Sequence, residues 1–158
     1  MPQKRSISEN DAWIRLSAKC AMTEYCVADI HRMLSRWELP EGAAERIMKR
    51  LMAERYVDEC RYAHAFVRDK FWHNHWGWIR IERELRIRGI AQDFIDEAKE
   101  EISEDDNLSS LRKLIESKRR TVKGKNDYEV NAKLFRFALS RGFSYGDINE
   151  VLHTSFEE

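Results

Sequence analysis

The chain has few of the residues that interrupt or cross-link a polypeptide. Only two of its 158 residues are prolines and six are glycines, which favours helices joined by short turns. Its three cysteines are an odd number, so they do not suggest a disulfide framework, and we expect a reducing, cytoplasmic environment. No apolar run reaches the roughly 18 residues of a membrane-spanning helix, and no secretory leader is recognisable, so we expect no membrane association.

The chain also lacks net charge, because 28 basic residues balance 28 acidic ones. A neutral total argues against indiscriminate binding of nucleic acid. The charge is unevenly placed, however: residues 93–106 hold eight acids and one base, and residues 112–125 hold seven bases and one acid. The basic block could contact an anion, or both blocks could be solvated helix faces.

Sequence motifs of the common enzyme classes are missing as well. The chain has no phosphate-binding glycine loop, no nucleophile elbow and no His-Glu-x-x-His pair, so we expect neither an enzyme nor a cofactor. His64, His73 and His75 are not accompanied by a cysteine pair or a carboxylate at ligand spacing, and we expect no metal site. Cys20 and Cys26 look like small buried apolar groups.

What the chain does have is a helical unit that recurs with a period of about fifty residues. A pair of aliphatic residues one helical turn apart marks each copy: Ile30/Leu34, Ile81/Leu85 and Leu134/Ala138. Glycines 89 and 142 end the second and third of these helices, as glycine commonly does. Such units stack to bury their apolar faces, which predicts an all-α, elongated array suited to binding along a large partner.

The sequence as a whole predicts nine helices in three tandem three-helix repeats. We place a flexible N-terminal tail at residues 1–9, followed by repeats at residues 10–57, 58–103 and 104–156. A flexible linker is predicted in the basic, Gly124-containing segment of the third repeat. No part of the chain alternates apolar and polar residues strongly enough to predict a sheet.

Two stretches of sequence resemble a known family. The first is Tyr56-Val57-Asp58-Glu59-Cys60-Arg61-Tyr62-Ala63, and the second is Gly77-x-x-Arg80-Ile81-x-x-Glu84-Leu85-x-x-x-Gly89-Ile90. Both are similar to signatures of the RecX family, the regulators of the bacterial recombinase RecA. The resemblance covers roughly residues 12–154 in the family's order. It departs at Arg55, where the family usually has a glycine, and at Trp37, which stands where the later repeats have Gly89 and Gly142.

The resemblance implies a curved, all-helical protein that lies along the groove of the RecA–single-strand DNA filament. It further implies that the protein modulates, most simply inhibits, the recombinase, ATPase and coprotease activities of RecA. Recombination, DNA repair and the SOS response would then be its context. We expect a monomer that meets single-stranded DNA through the filament.

Exposed cations are the candidate contacts with such a partner. Arg83 and Arg86 lie away from the Ile81/Leu85 stripe of the fifth helix, whereas Arg80 could pair with Glu84. Flexible cations bind phosphates without reading sequence, which suits DNA of arbitrary sequence. The full candidate set is Arg80, Arg83, Arg86, Arg88, Lys118, Arg119, Arg120, Lys123 and Lys125.

The other motif positions have architectural interpretations. Asp58 is a good N-cap, and Arg61 could pair with an acid on a neighbouring helix. Tyr56 is expected to pack in the core or between repeats. The structural set is Tyr56, Asp58, Arg61, Gly77, Ile81, Glu84, Leu85, Gly89 and Gly142. Trp72, Trp76 and Trp78 could stack on exposed bases or form a seam between helices.

Two alternatives to filament binding stay open at the level of sequence. The chain could be an autonomous helical DNA-binding module that uses the basic block near residues 112–125. Binding of DNA alone would then weaken steeply with salt. It could also be a helical-repeat scaffold for an unrelated partner.

Overall fold

A computed structural model of the chain describes residues 3–154. Within that range there are nine α-helices, one π-helical turn and two very short strands. The helices are α1 Glu9–Met22, α2 Val27–Ser35, α3 Ala43–Ala53, α4 Glu59–Arg68, α5 Trp78–Ile87, α6 Gln92–Lys99, α7 Glu104–Arg119, α8 Asp127–Ser140 and α9 Tyr145–Thr154. The π-helical turn is Asp69–His73, and the strands are β1 Arg5–Ser6 and β2 Trp37–Glu38.

The nine helices form three successive three-helix repeats, each with its own apolar core. The first core contains Leu16, Ile30 and Leu51, and the third contains Leu111, Leu134 and Ile148. The second core contains Phe71, Ile81, Leu85 and Ile95, and it also takes in Cys26 from the start of α2. The predicted all-α repeat architecture is therefore confirmed. No helix in the described range is long and apolar enough to cross a membrane.

The aliphatic pairs that define the period are buried as predicted. Ile30, Ile81, Leu85, Leu134 and Ala138 are fully inaccessible to solvent. Burial of these side chains supplies the main driving force for each repeat, since a fully buried Leu or Ile contributes about 1.5–3 kcal/mol. Packing between helices, and not helix propensity, therefore holds these short elements in place.

The N-terminal segment differs from the predicted flexible tail. Arg5 and Ser6 pair in parallel with Trp37 and Glu38, and the side chain of Ile7 is only 9% exposed in the first core. Ser8 then caps α1 by accepting a hydrogen bond from the Asp11 N–H at 3.1 Å. The structure thus fixes residues 5–8, while residues 1, 2 and 155–158 lie outside the described range.

The departures from the family pattern have local structural consequences. Arg55, between α3 and α4, has a φ of 61°, the left-handed conformation that glycine adopts most easily. Trp37 does not make the left-handed turn seen at Gly89 and Gly142 and instead forms strand β2. The first repeat therefore ends its second helix differently from the other two.

Two of the expected architectural residues, Asp58 and Arg61, make contacts at the start of the second repeat. The Asp58 carboxylate accepts a hydrogen bond from the Arg61 N–H at 3.0 Å and so caps α4. The Arg61 side chain donates to Glu24 at 2.6 Å, although Glu24 lies in the α1–α2 connection and not on a helix. Arg61 also donates to the carbonyl of Arg55 at 3.0 Å. Arg61 thus joins the first repeat to the second.

Candidate functional site

The π-helical turn after α4 brings the side chains of Lys70 and Trp76 close together. The Trp76 N–H donates to the Lys70 carbonyl at 2.9 Å, and His75 between them has a φ of 55°. π-Helical turns are uncommon and are often found at functional sites. Here the turn redirects the chain so that the ring of Trp76 faces the second repeat's basic side chains.

Cations and aromatic rings alternate along this part of the second repeat. The guanidinium of Arg88 lies 4.8 Å from the centre of the Phe66 ring, and the Lys70 ammonium lies 5.7 Å from the same ring. The Lys70 ammonium is also 5.0 Å from the centre of the Trp76 ring. The Arg80 guanidinium lies 3.9 Å from the centre of the same ring. These cation–π contacts help to hold the three basic side chains in place. Arg88 and Lys70 are also in ion pairs, with Glu84 and Asp69, whereas Arg80 has no carboxylate partner within residues 3–154.

This series of cations and rings meets the third repeat at a point where two glycines allow the backbones of the two repeats to come into contact. The Gly77 N–H donates to the Arg141 carbonyl at 2.7 Å, and the Ile79 N–H donates to the Gly142 carbonyl at 3.0 Å. The first turn of α5 thereby meets the C-terminal end of α8, an arrangement that the two helix dipoles favour. A Cβ atom on Gly77 would lie 2.3 Å from the carbonyl carbon of Gly142. We call this contact the glycine joint.

Beyond the glycine joint the same alternation continues across the third repeat. The Arg141 guanidinium is 5.0 Å from the centre of the Phe137 ring, and the Lys118 ammonium is 4.7 Å from it. Arg80, Arg141 and Lys118 form no ion pair with a carboxylate anywhere in residues 3–154. We define the basic–aromatic stripe as Arg88, Phe66, Lys70, Trp76, Arg80, Arg141, Phe137 and Lys118.

The four candidate arginines of α5 have different environments. Arg83 is exposed and has no ion pair within the described part of the chain, whereas Arg86 pairs with Glu82 and also donates to Gln92 at 3.1 Å. The expected pair between Arg80 and Glu84 is not formed. Glu84 pairs instead with Arg88 at 2.8 Å, because Arg80 stacks on Trp76. The pKa of Glu84 is accordingly lowered, mainly by its hydrogen bond from Arg88.

The basic segment of the third repeat is more ordered than predicted. Helix α7 extends to Arg119, so Lys118 and Arg119 are helical, and Arg120 follows directly. Two side-chain nitrogens of Arg119 are buried without a hydrogen-bond partner in the described residues. The linker predicted around Gly124 is instead a tethered turn, because the Lys133 ammonium donates to the Lys123 carbonyl at 2.6 Å. The side chains of Lys123 and Lys125 remain exposed.

The three tryptophans of the second repeat occupy three distinct settings. Trp72 is 48% exposed and packs edge-on against Phe71, while Trp76 belongs to the basic–aromatic stripe. The Trp78 indole N–H donates to Glu82 at 2.7 Å. Sequence reasoning gave no role to Lys70, Arg141 or Phe137 as part of one surface. Phe66 and Lys70, like Phe137 and Arg141, are four residues apart, which is a spacing visible in the sequence, whereas the contact between Lys118 and Phe137 joins two different helices.

The geometry defines the class of the protein as an all-helical array of three three-helix units with a cationic stripe over its second and third units. Family models for the second and third three-helix domains of RecX match residues 58–98 and 104–152. The regulatory protein RecX of Vibrio parahaemolyticus is 31% identical over 162 aligned positions, which cover 100% of this chain and 99% of that protein. The chain belongs to the RecX family, a family of regulatory proteins and not of enzymes.

Other relatives show both the same fold and a difference in length. The Bacillus pumilus regulatory protein RecX is 24% identical over 131 positions, and the match spans 83% of this chain but 50% of that protein. A crystal structure of regulatory protein RecX superposes with a TM-score of 0.82 at 22% identity, covering 92% of this chain and 73% of that one. RecX from Lactobacillus salivarius gives 0.75 at 17% identity, covering 92% and 95%.

Proposed function

We propose that this protein binds the RecA–single-strand DNA filament and restrains its recombinase, ATPase and coprotease activities. Family membership supports a regulatory role, and the proposed setting is DNA recombination, repair and the SOS response in the bacterial cytoplasm. The protein acts as a monomer whose repeats lie along the filament. It reaches single-stranded DNA only as part of that filament.

The observation that carries this proposal is the basic–aromatic stripe across two repeats. Its cations Arg80, Arg141 and Lys118 have aromatic neighbours but no carboxylate partner in residues 3–154, so their charge is available to an anionic surface. A DNA backbone and an acidic protein groove both present repeated negative charge, and neither requires base-specific contacts. A stripe that spans more than one repeat suits a polymer better than a small molecule.

Beside the stripe cations Arg80 and Lys118, we favour as contacts those candidate residues that are exposed and unpaired. Arg83, Arg120, Lys123 and Lys125 meet both conditions within the described residues. Arg88 is held by Glu84 and Phe66, so its first role is to build the surface. We assign direct contact to the unpaired cations and a supporting role to the paired ones, Arg86 and Arg88.

The test is RecA-catalysed ATP hydrolysis on single-stranded DNA, followed in parallel with strand exchange. We expect the wild-type protein to lower both rates at or below equimolar ratio to RecA. Arg83→Ala should weaken this effect several-fold, since a charge that contacts the partner is worth about 1 kcal/mol or more. Arg86→Ala is the matched control, because it removes an exposed arginine from the same helix that is already neutralised by Glu82.

The outcomes are distinguishable. Unchanged rates with the wild-type protein would refute filament regulation. Equal weakening by Arg83→Ala and Arg86→Ala would leave regulation intact but contradict our assignment of contacts. Circular dichroism of both variants should match the wild type, because neither side chain is buried.

The basic segment of the third repeat also supports a second candidate, an autonomous DNA-binding module. Lys123 and Lys125 lie in the exposed turn between α7 and α8, where they could reach a phosphate backbone. Fluorescence anisotropy with a labelled single-stranded oligonucleotide and no RecA separates the two. Salt-sensitive binding to bare DNA that matches filament binding in strength would favour this module over the filament regulator.

A further inference from the structure

A cluster of metal-binding residue types lies on the second repeat, where helices α4 and α6 pack together. Cys60 and His64 are four residues apart on α4, so they share one face of that helix. Glu97 lies on α6 directly opposite. The two helices approach closely because fully buried alanines, Ala63 and Ala98, are part of the core between them.

The three side chains bring their donor atoms close together. The Cys60 Sγ is 2.8 Å from Glu97 Oε2, and the His64 Nε2 is 3.7 Å from the same oxygen. All three donor atoms lie within 4.8 Å of one another. Tetrahedral zinc with bonds of about 2.0–2.3 Å separates its ligand atoms by roughly 3.3–3.8 Å. Rotation of the half-exposed Glu97 side chain would lengthen its 2.8 Å separation from Cys60 towards that spacing.

A second carboxylate orients the histidine. Glu101 Oε1 lies 3.3 Å from His64 Nδ1 and accepts a hydrogen bond from the Arg68 Nε at 3.0 Å. Proton donation from Nδ1 to this carboxylate leaves the lone pair of Nε2 directed at Cys60 and Glu97. Histidines that bind metals are usually held in this way by a carboxylate on the opposite ring nitrogen.

The Glu101 carboxylate is only partly satisfied, although Arg68 pairs with its Oε1 atom. The other oxygen of the same carboxylate, Glu101 Oε2, is buried and has no hydrogen-bond partner in the described residues. A buried carboxylate oxygen without a donor is costly, and such groups are rare in folded proteins. A cation bound between His64 and Glu97 would add to the positive charge that Arg68 already brings to this carboxylate.

We propose that Cys60 Sγ, His64 Nε2 and Glu97 Oε2 bind a zinc ion, with Glu101 as the residue that positions His64. A thiolate, an imidazole and a carboxylate together suit a borderline-soft ion better than magnesium or calcium. The thiol proton of Cys60 leaves to solvent when the metal binds. Since the Glu97 side chain is 56% exposed, water completes the tetrahedron. The ion would link α4 to α6 within the repeat that carries most of the basic–aromatic stripe.

Cobalt(II) is the probe, added to the metal-free full-length protein in a non-chelating buffer with a phosphine reductant. We expect an equimolar complex with a near-ultraviolet thiolate-to-cobalt charge-transfer band, which zinc then abolishes by displacement. Cys60→Ser should remove the band. Glu101→Gln should keep the band but weaken affinity by about 10–100-fold, as expected for a residue that positions a ligand.

His73→Ala is the matched control, because it removes an exposed histidine of the same repeat that lies outside the cluster. It should retain both the band and the affinity. Absence of the band in the wild-type protein would overturn the proposal, as would its persistence in Cys60→Ser. Since Cys60 is only partly buried, far-ultraviolet circular dichroism of Cys60→Ser should match the wild type, which separates loss of the ligand from loss of the fold.

Discussion

Replacing Gly77 with alanine tests whether the glycine joint holds the second and third repeats together. The backbone of Gly77 has φ −77° and ψ 162°, a conformation that alanine adopts without strain. Taken alone, alanine at this position should slightly stabilise the folded protein, because it reduces the conformational entropy of the unfolded chain. Any loss of stability must therefore come from contact with the neighbouring repeat.

The magnitude follows from the atoms that the new methyl group would meet. Its Cβ would lie 2.3 Å from the carbonyl carbon and oxygen of Gly142, and 2.4 Å from the Phe143 nitrogen. These are backbone atoms, which cannot rotate away as a side chain can. Overpacking costs about 1–3 kcal/mol, and losing the two hydrogen bonds of the joint costs about 0.5–1.5 kcal/mol each, for a total of roughly 2–6 kcal/mol.

Thermal and urea unfolding, followed by circular dichroism, measure this loss. At about 2–4 °C per kcal/mol for a chain of this size, we expect the Tm of Gly77→Ala to fall by roughly 4–24 °C. Gly146→Ala is the control, since a Cβ there meets no atom within 4 Å and Gly146 lies in helix α9. That change should stabilise by roughly 0.5–1 kcal/mol.

A free energy of unfolding for Gly77→Ala within about 0.5 kcal/mol of the wild-type value, the range of ordinary surface substitutions, would contradict a close contact across the glycine joint. Coupling between neighbouring repeats also determines how cooperatively an array unfolds. Weakening the glycine joint should therefore broaden the transition or split it in two. Gly146→Ala should leave its width unchanged.

Two further predictions concern the second repeat. Leu85 is 0% exposed, so Leu85→Ala should cost about 2–5 kcal/mol in urea unfolding, whereas Ile87→Ala, at a position 70% exposed, should change stability by less than about 0.5 kcal/mol. Equal effects would contradict the assignment of the core face. The hydrogen bond from the Arg61 N–H lowers the pKa of Asp58. The ionised cap therefore contributes about 1 kcal/mol to the free energy of unfolding above the ordinary carboxyl pKa, and this contribution is lost as the pH falls through the lowered pKa. Asp58→Asn keeps a capping oxygen but does not titrate, so its free energy of unfolding should depend less steeply on pH in that acidic range. A pH dependence equal to that of the wild type would refute this role of Asp58.

The repeats could be predicted from sequence because their signal is local. Helical spacing of aliphatic residues depends on positions three or four apart, and a turn glycine follows at a fixed distance. Ile81, Leu85 and Gly89 therefore identify α5 and its end without knowledge of any other helix. The Asp58 cap is equally local, since its partner is three residues away.

The structure at the N-terminus could not be predicted because its partners are distant in sequence. Arg5 and Ser6 form two residues of parallel pairing with Trp37 and Glu38, which is too short to produce an alternating pattern. The π-helical turn Asp69–His73 has no recognisable sequence signal either. Only the packing of Phe71 in the second core and the redirection at His75 distinguish it from a longer α4.

The candidate sites show the same division between local and distant contacts. Spacing on α5 allowed Glu84 to pair with either Arg80 or Arg88, and the ring of Trp76 decides between them by holding Arg80. The four-residue spacing of Cys60 and His64 is local, and we gave it no role from sequence, because a metal site needs a third ligand. Glu97 reaches them only because α6 packs on α4, which no spacing in the sequence states.

The basic–aromatic stripe depends on backbone geometry as much as on charge. Its two halves belong to different repeats, and they meet because N–H groups of α5 bind carbonyls at the end of α8. A side chain at Gly77 or Gly142 would separate those halves while leaving each cation in its own repeat. Gly77 and Gly142 therefore have a role that their own chemistry does not suggest, since they set the spacing of the cations that lie on either side of them.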